Sequence, residues 1–204
     1  AYHEAGHAVV GIKLDGADDV QKITIIPRGQ AGGYNLMLPK EEKFLATKNE
    51  LLDRISGYLG GRVAEEFMFK EVTTGASNDF EQATQLARAL VTEYGMSEKL
   101  GPIAFGSDND EVFLGKNYTH TRNYSETVAA AIDEEVENII NNAYKRTEAI
   151  LKEHIDQLHI VSEALIKLEK IDKEQFESLM TTGALPEDKV EEIAPVIEEK
   201  TVEE

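Results

Sequence analysis

The spacing of apolar residues divides the chain into a short mixed region and a long helical one. Ala8, Val9, Val10, Ile12 and Leu14 crowd the opening stretch, as in a helix buried in a core. Asp15 to Asp19 reads as a loop. Val20 to Ile26 is rich in β-branched residues and closes on Pro27-Arg28-Gly29, which predicts a strand. Gly32 to Pro39 is a second extended segment, and its glycines in front and proline behind suit a sheet edge.

From there the period becomes helical. Thr47 and Glu50 form a capping box ahead of Leu51, Leu52, Ile55 and Leu59, so a helix starts there and runs through Gly60-Gly61 to Phe69. The two glycines suit close approach to another backbone. A polar turn at Thr73 to Asp79 feeds a helix from about Asp79 to Tyr94, with Ala83, Leu86, Ala87, Leu90 and Val91 on its buried face. Gly95 to Gly115 is loop-like, broken most clearly at Gly101-Pro102. The stripe from Val128 through Leu168 predicts two helices, and Asp172 with Gln175 caps a short last one. The expected fold is mainly α, with a small β-sheet near the N-terminus and a helical C-terminal half. One domain is expected over 1–184, a catalytic part to about 115 and a helical part from about 120. Residues 185–204 read as an acidic, weakly structured tail.

Composition narrows the chemistry. A net charge of −18 disfavours binding to nucleic acid. The absence of Cys removes disulfides, thiolate nucleophiles and cysteine zinc sites. No apolar run approaches the ~20 residues of a membrane span.

The opening helix carries the chemistry. His3 and His7 are four apart, so both rings leave the same face and can bind one zinc ion. Glu4, about 100° around the helix, stands where a general base for metal-assisted hydrolysis belongs. This is the H-E-x-x-H arrangement. Satisfied core histidines beside a solvated Glu are the bland alternative. A ligand so near the first residue leads us to expect a longer polypeptide on the N-terminal side. A catalytic zinc takes a third protein ligand. Val10 and Lys13 stand where the metzincin extension needs Gly and His, and His120, His154 and His159 read as surface residues. That leaves Asp79, at a helix start, or Glu65 or Glu66 on the preceding helix. Spacing favours Asp79 only weakly.

In order and spacing, the chain resembles the protease domain of the FtsH family, membrane-anchored ATP-dependent AAA+ zinc proteases. The resemblance rests on Ala1-Tyr2-His3-Glu4-Ala5-Gly6-His7-Ala8, Ile26-Pro27-Arg28-Gly29, Gly33-Tyr34 with Leu38-Pro39, and Leu52-Asp53-Arg54-Ile55. It continues in Gly60-Gly61-Arg62, Ala64-Glu65-Glu66, Thr74-Gly75-Ala76-Ser77-Asn78-Asp79 and Thr92-Glu93-Tyr94-Gly95-Met96-Ser97. The resemblance implies Zn2+ held by His3, His7 and Asp79, with Glu4 as base. It also implies a homo-hexameric ring, polypeptide substrates, and an ATPase module with membrane segments preceding the protease domain. This chain has no phosphate-binding loop, so ATP binding is expected elsewhere in the polypeptide. Localisation follows the parent: membrane-anchored, with this domain in the cytoplasm or an organelle compartment.

The expected reaction is peptide-bond hydrolysis, with Gly33, Tyr34, Asn35 and Leu36 aligning the substrate as an added strand. Two rivals are an assembly module with a structural zinc and a domain that binds unfolded peptide without cutting it. Both leave Glu4 idle.

Overall fold

Helix α1 (Tyr2–Ile12) is buried at every position from Ala5 to Gly11. The computed structural model describes residues 1–27, 32–39, 44–105 and 124–186. Around α1 the chain lays down β1 (Asp19–Thr24), β2 (Tyr34–Leu38), α2 (Lys48–Phe69) and α3 (Ser77–Thr92). Then follow α4 (Glu126–Glu153), α5 (Ile155–Leu168), β3 (Lys170–Asp172) and α6 (Lys173–Thr182). The fold is mainly α with one small sheet, as the patterning predicts.

Local chemistry sets the helix ends. Thr47 accepts the Glu50 amide hydrogen bond while Glu50 accepts that of Thr47, starting α2. Lys70 ends it in the left-handed region at φ 53°. Asp172 and Gln175 form the same box for α6, and Gly183 ends that helix. The long C-terminal stripe divides at His154, where φ −112° and ψ 30° interrupt the helical path.

The sheet order is β2-β1-β3, antiparallel throughout. β2 is an edge, as its flanking Gly and Pro suggest. The third strand is not visible in the apolar pattern, which runs helical up to it. Glu169 turns left-handed at φ 61° after α5, so the chain drops directly alongside β1. There Ile23 pairs with Ile171, and the Glu169 carbonyl accepts from the Ile25 amide at 2.9 Å. A three-residue strand pairing across nearly 150 positions has no local signature.

Two apolar clusters fill the interior. One joins α1, β1 and part of α2 to α5 and α6; the other lies among α2, α3 and α4. In the first, Val9, Val10, Ile23, Leu158, Leu165, Ile171 and Phe176 are essentially sealed from solvent. Each such side chain contributes about 1.5–3 kcal/mol. Both clusters draw residues from before 106 and after 123, so the C-terminal helices support the N-terminal ones directly. Asp53 adds a polar tie, accepting from the Gly16 amide at 2.9 Å and from Arg146.

Candidate metal centre

The site begins with how closely α1 and α2 approach. A Cβ at Gly6 would lie 2.4 Å from the Gly60 carbonyl oxygen, and one at Gly60 would lie 2.7 Å from that of Gly6. Side chains there would push the two backbones apart. Gly61 plays a different part: its Cβ would fall 2.5 Å from His7 Nε2 and 2.6 Å from His3 Cε1. The missing side chain is the room the two rings occupy.

Each ring is oriented by the nitrogen away from the centre. His7 Nδ1 lies 2.9 Å from the Gly57 carbonyl oxygen, and His3 Nδ1 lies 3.1 Å from Glu65 Oε1. Both partners accept only, so both Nδ1 atoms carry the proton and both Nε2 atoms present lone pairs. Glu65 is itself buried and accepts from Thr73 Oγ1. The same Thr73 oxygen accepts from the Gly75 amide, in the turn that leads to α3.

Asp79 closes the third side from the first turn of α3. Its Oδ2 is 3.3 Å from His3 Nε2 and 3.5 Å from His7 Nε2, and the two Nε2 atoms are 3.1 Å apart. Arg62 steadies this turn by donating to the Thr73 carbonyl at 2.8 Å and stacking over the Phe80 ring at 4.9 Å.

Three acceptors therefore face one another with no proton assigned between them. That arrangement calls for a cation. A tetrahedral zinc with Zn–N of about 2.0–2.1 Å sets its ligand atoms ~3.3 Å apart. The observed separations match, so the donor set and spacing fit the ion. Among the described residues, these three form the one such cluster of His, Asp and Glu. The same electrostatics favour positive charge at this spot, supplied by a proton on Nε2 when no ion is bound. Burial disfavours charge on His3, but the Asp79 hydrogen bond and the nearby carboxylates outweigh it and raise its pKa. Burial likewise opposes ionisation of Asp79, but hydrogen bonds from His3 and His7 hold it well below the usual carboxylate range.

Glu4 leaves α1 toward the sheet. Asn35 Nδ2 donates to Glu4 Oε2 at 2.6 Å and to the Glu4 backbone carbonyl at 3.1 Å. A Cβ at Gly33 would come within 2.8 Å of Glu4 Oε1. Leu36 is 45% exposed and Tyr34 half-buried.

The structure thus brings His3, His7 and Asp79 together and sets Glu4 against Gly33 and Asn35. Glu65 orients a ring from behind, and Glu66 accepts from the Tyr144 hydroxyl. His159 is not a free surface residue: its Nδ1 hydrogen-bonds the Tyr2 hydroxyl at 2.9 Å, and His154 is half-buried. His120 lies outside the described residues. Sequence reasoning missed the Gly57 carbonyl, the Thr73 hydroxyl and the Arg62 bracket. None has a signal of its own, since backbone carbonyls and hydroxyls acquire such roles only through packing.

Comparison with known proteins identifies the family and its metal. The model of peptidase family M41 matches residues 1–179. The chain is 54% identical over 188 residues to the ATP-dependent zinc metalloprotease FtsH of Bacillus subtilis (strain 168), covering 92% of this chain and 30% of that protein. It is 56% identical over 179 residues to FtsH 1 of Thermoanaerobacter sp. (strain X514), covering 88% and 29%. A third relative, FtsH 2 of Alkaliphilus metalliredigens (strain QYMF), is 48% identical over 197 residues, covering 96% and 29%. The chain spans about a third of the length of these relatives. On a family match across most of its residues, this chain belongs to peptidase family M41.

Proposed function

We propose that the chain is a zinc-dependent endopeptidase, the proteolytic part of an ATP-dependent, membrane-anchored protease. The observation that supports this best is the meeting of two bare imidazole nitrogens and a carboxylate oxygen, with a second carboxylate held beside them on α1. His3, His7 and Asp79 would hold the ion. Bound there, zinc supplies Lewis acidity that polarises a peptide carbonyl and eases deprotonation of water. Glu4 takes a proton from the attacking water and returns it to the leaving amine nitrogen as the C–N bond breaks. The outer edge of β2 binds an extended substrate by main-chain hydrogen bonds, which is indifferent to sequence and suits unfolded polypeptides. Gly33, Tyr34, Asn35 and Leu36 form that edge, and the Asn35 side chain turns inward from it.

ATP dependence is in the relatives' names, and the anchor, the ring and the substrate class follow from the resemblance to the FtsH family. ATP use belongs to the part of the polypeptide that carries the ATPase, and the membrane anchor does too. No described helix is long and apolar enough to cross a membrane. The domain works in a homo-hexameric ring on unfolded and membrane proteins. Residues 1–184 form the peptidase domain and 185–204 its acidic tail.

Glu4→Gln tests the reading. Cleavage of unfolded casein should fall by at least ~100-fold, the usual loss for a general base, while zinc content stays at wild-type level. Cleavage at the wild-type rate would remove Glu4 from the chemistry. Casein binding without cleavage, by wild type loaded with zinc, would make this a peptide-holding module.

A further inference from the structure

Asn35 occupies the wrong face of its strand by any hydrophobic count. Asn35 pairs with fully buried Ile23 and Met37 with buried Val20, so the two face α1. Leu36 and Leu38 alternate with them and are left 45% and 49% exposed. Slipping β2 by one residue would bury both leucines and release the amide to water, which hydrophobic burial alone favours. The register seen instead keeps a polar amide under the sheet.

That amide spends its donors on one residue. Nδ2 reaches both Glu4 Oε2, at 2.6 Å, and the Glu4 backbone carbonyl, at 3.1 Å. At its other end, Oδ1 is buried and has no hydrogen-bond partner among the described residues. A structural amide in a core normally satisfies both ends. At the other carboxylate oxygen, Gly33 crowds Glu4 Oε1 so closely that a Cβ would touch it, at 2.8 Å. Glu4 thus meets Asn35 of β2 at one carboxylate oxygen and Gly33, just before that strand, at the other.

We propose that Asn35 is a positioning residue for the base: bridging the Glu4 backbone and carboxylate, it locks the side-chain torsions from which Glu4 works. This rests on the role given to Glu4 above. The amide engages Oε2, leaving Oε1 as the oxygen that takes the proton. Being neutral, it orients the carboxylate without adding a charge beside the metal.

The test is steady-state cleavage of a quenched fluorescent peptide by the zinc-loaded protein. Asn35→Ala lowers kcat about 10-fold, the scale of losing a group that orients a working side chain. KM and zinc content stay within about two-fold of wild type, since the side chain faces away from the strand's outer edge. Asn35→Asp keeps the shape but sets a second carboxylate against Glu4, and lowers kcat further. Should Asn35→Ala fail to fold, Asn35→Asp decides alone. Three results overturn the proposal: kcat within about two-fold of wild type, KM rising while kcat is kept, or zinc lost in step with activity. Glu4→Gln runs alongside. If Glu4→Gln cleaves, the base itself is misassigned; if it is inert while Asn35→Ala is fully active, only the positioning role falls.

Discussion

On the α2 side of α1, the two imidazoles are fixed by groups that cannot move without unpacking a core. The Gly57 carbonyl is part of a helix, and Glu65 is buried beneath Thr73. On the β2 side, Glu4 meets an edge strand whose two leucines point outward and whose inward amide reaches it. The difference separates two duties. Metal ligands benefit from rigidity, because each displaced donor lowers affinity. On the proposed reading, Glu4 as a base beside a substrate groove must stay open to solvent and peptide, which suits a place where packing is thin and a hydrogen bond holds it. Damage on the first side should therefore appear as lost zinc, and damage on the second as lost turnover or weaker peptide binding.

Asp79→Ala attacks the first side hardest. Removing a donor outright should weaken zinc by more than the ~10–100-fold typical of losing an outer partner, read as metal content after competition with a chelator. Wild-type stoichiometry would break the comparison by moving the third donor elsewhere. Glu65→Gln comes next. The isosteric amide keeps a hydrogen bond to His3 but no longer draws its proton, and zinc affinity should fall by about 10-fold.

Two glycines of α2 sharpen the contrast in opposite directions. Alanine for glycine in a helix gains about 1 kcal/mol from propensity. At Gly61 the added methyl meets rings that their Nδ1 bonds prevent from swinging away, and overpacking of that kind costs about 1–3 kcal/mol. Gly61→Ala should thus lower zinc retention and the Tm of the zinc-loaded protein. At Gly57 nothing lies within 4 Å of the added atom. Gly57→Ala should raise Tm by the propensity gain of about 1 kcal/mol. Equal Tm changes would mean the Gly61 clash is absorbed.

The smallest effect belongs to the β2 side. Leu36→Ser alters a half-exposed residue, so stability should change by no more than about 0.5 kcal/mol. Zinc content should hold, while KM for an extended peptide rises. A KM unchanged by this substitution would place the substrate off this edge.

Much of this was legible without coordinates. The i, i+4 histidines, the capping boxes before α2 and α6, and the start of α3 are all local patterns, because helix geometry and orphan amides act within a turn or two of sequence. The sequence therefore settled the helices, the sheet edge, and the face of α1 that carries His3 and His7. It could not choose between Asp79 and Glu65 on spacing, since both are acidic residues on helices at comparable distance. Only the folded chain separates them: Glu65 meets the Nδ1 side of His3, and Asp79 meets the Nε2 side of both rings. The third strand, the inward Asn35 and the His159–Tyr2 bond were likewise decided by tertiary structure. Each depends on which surfaces meet across tens to more than a hundred residues, and the period of apolar positions reports only how a segment is buried, not against what.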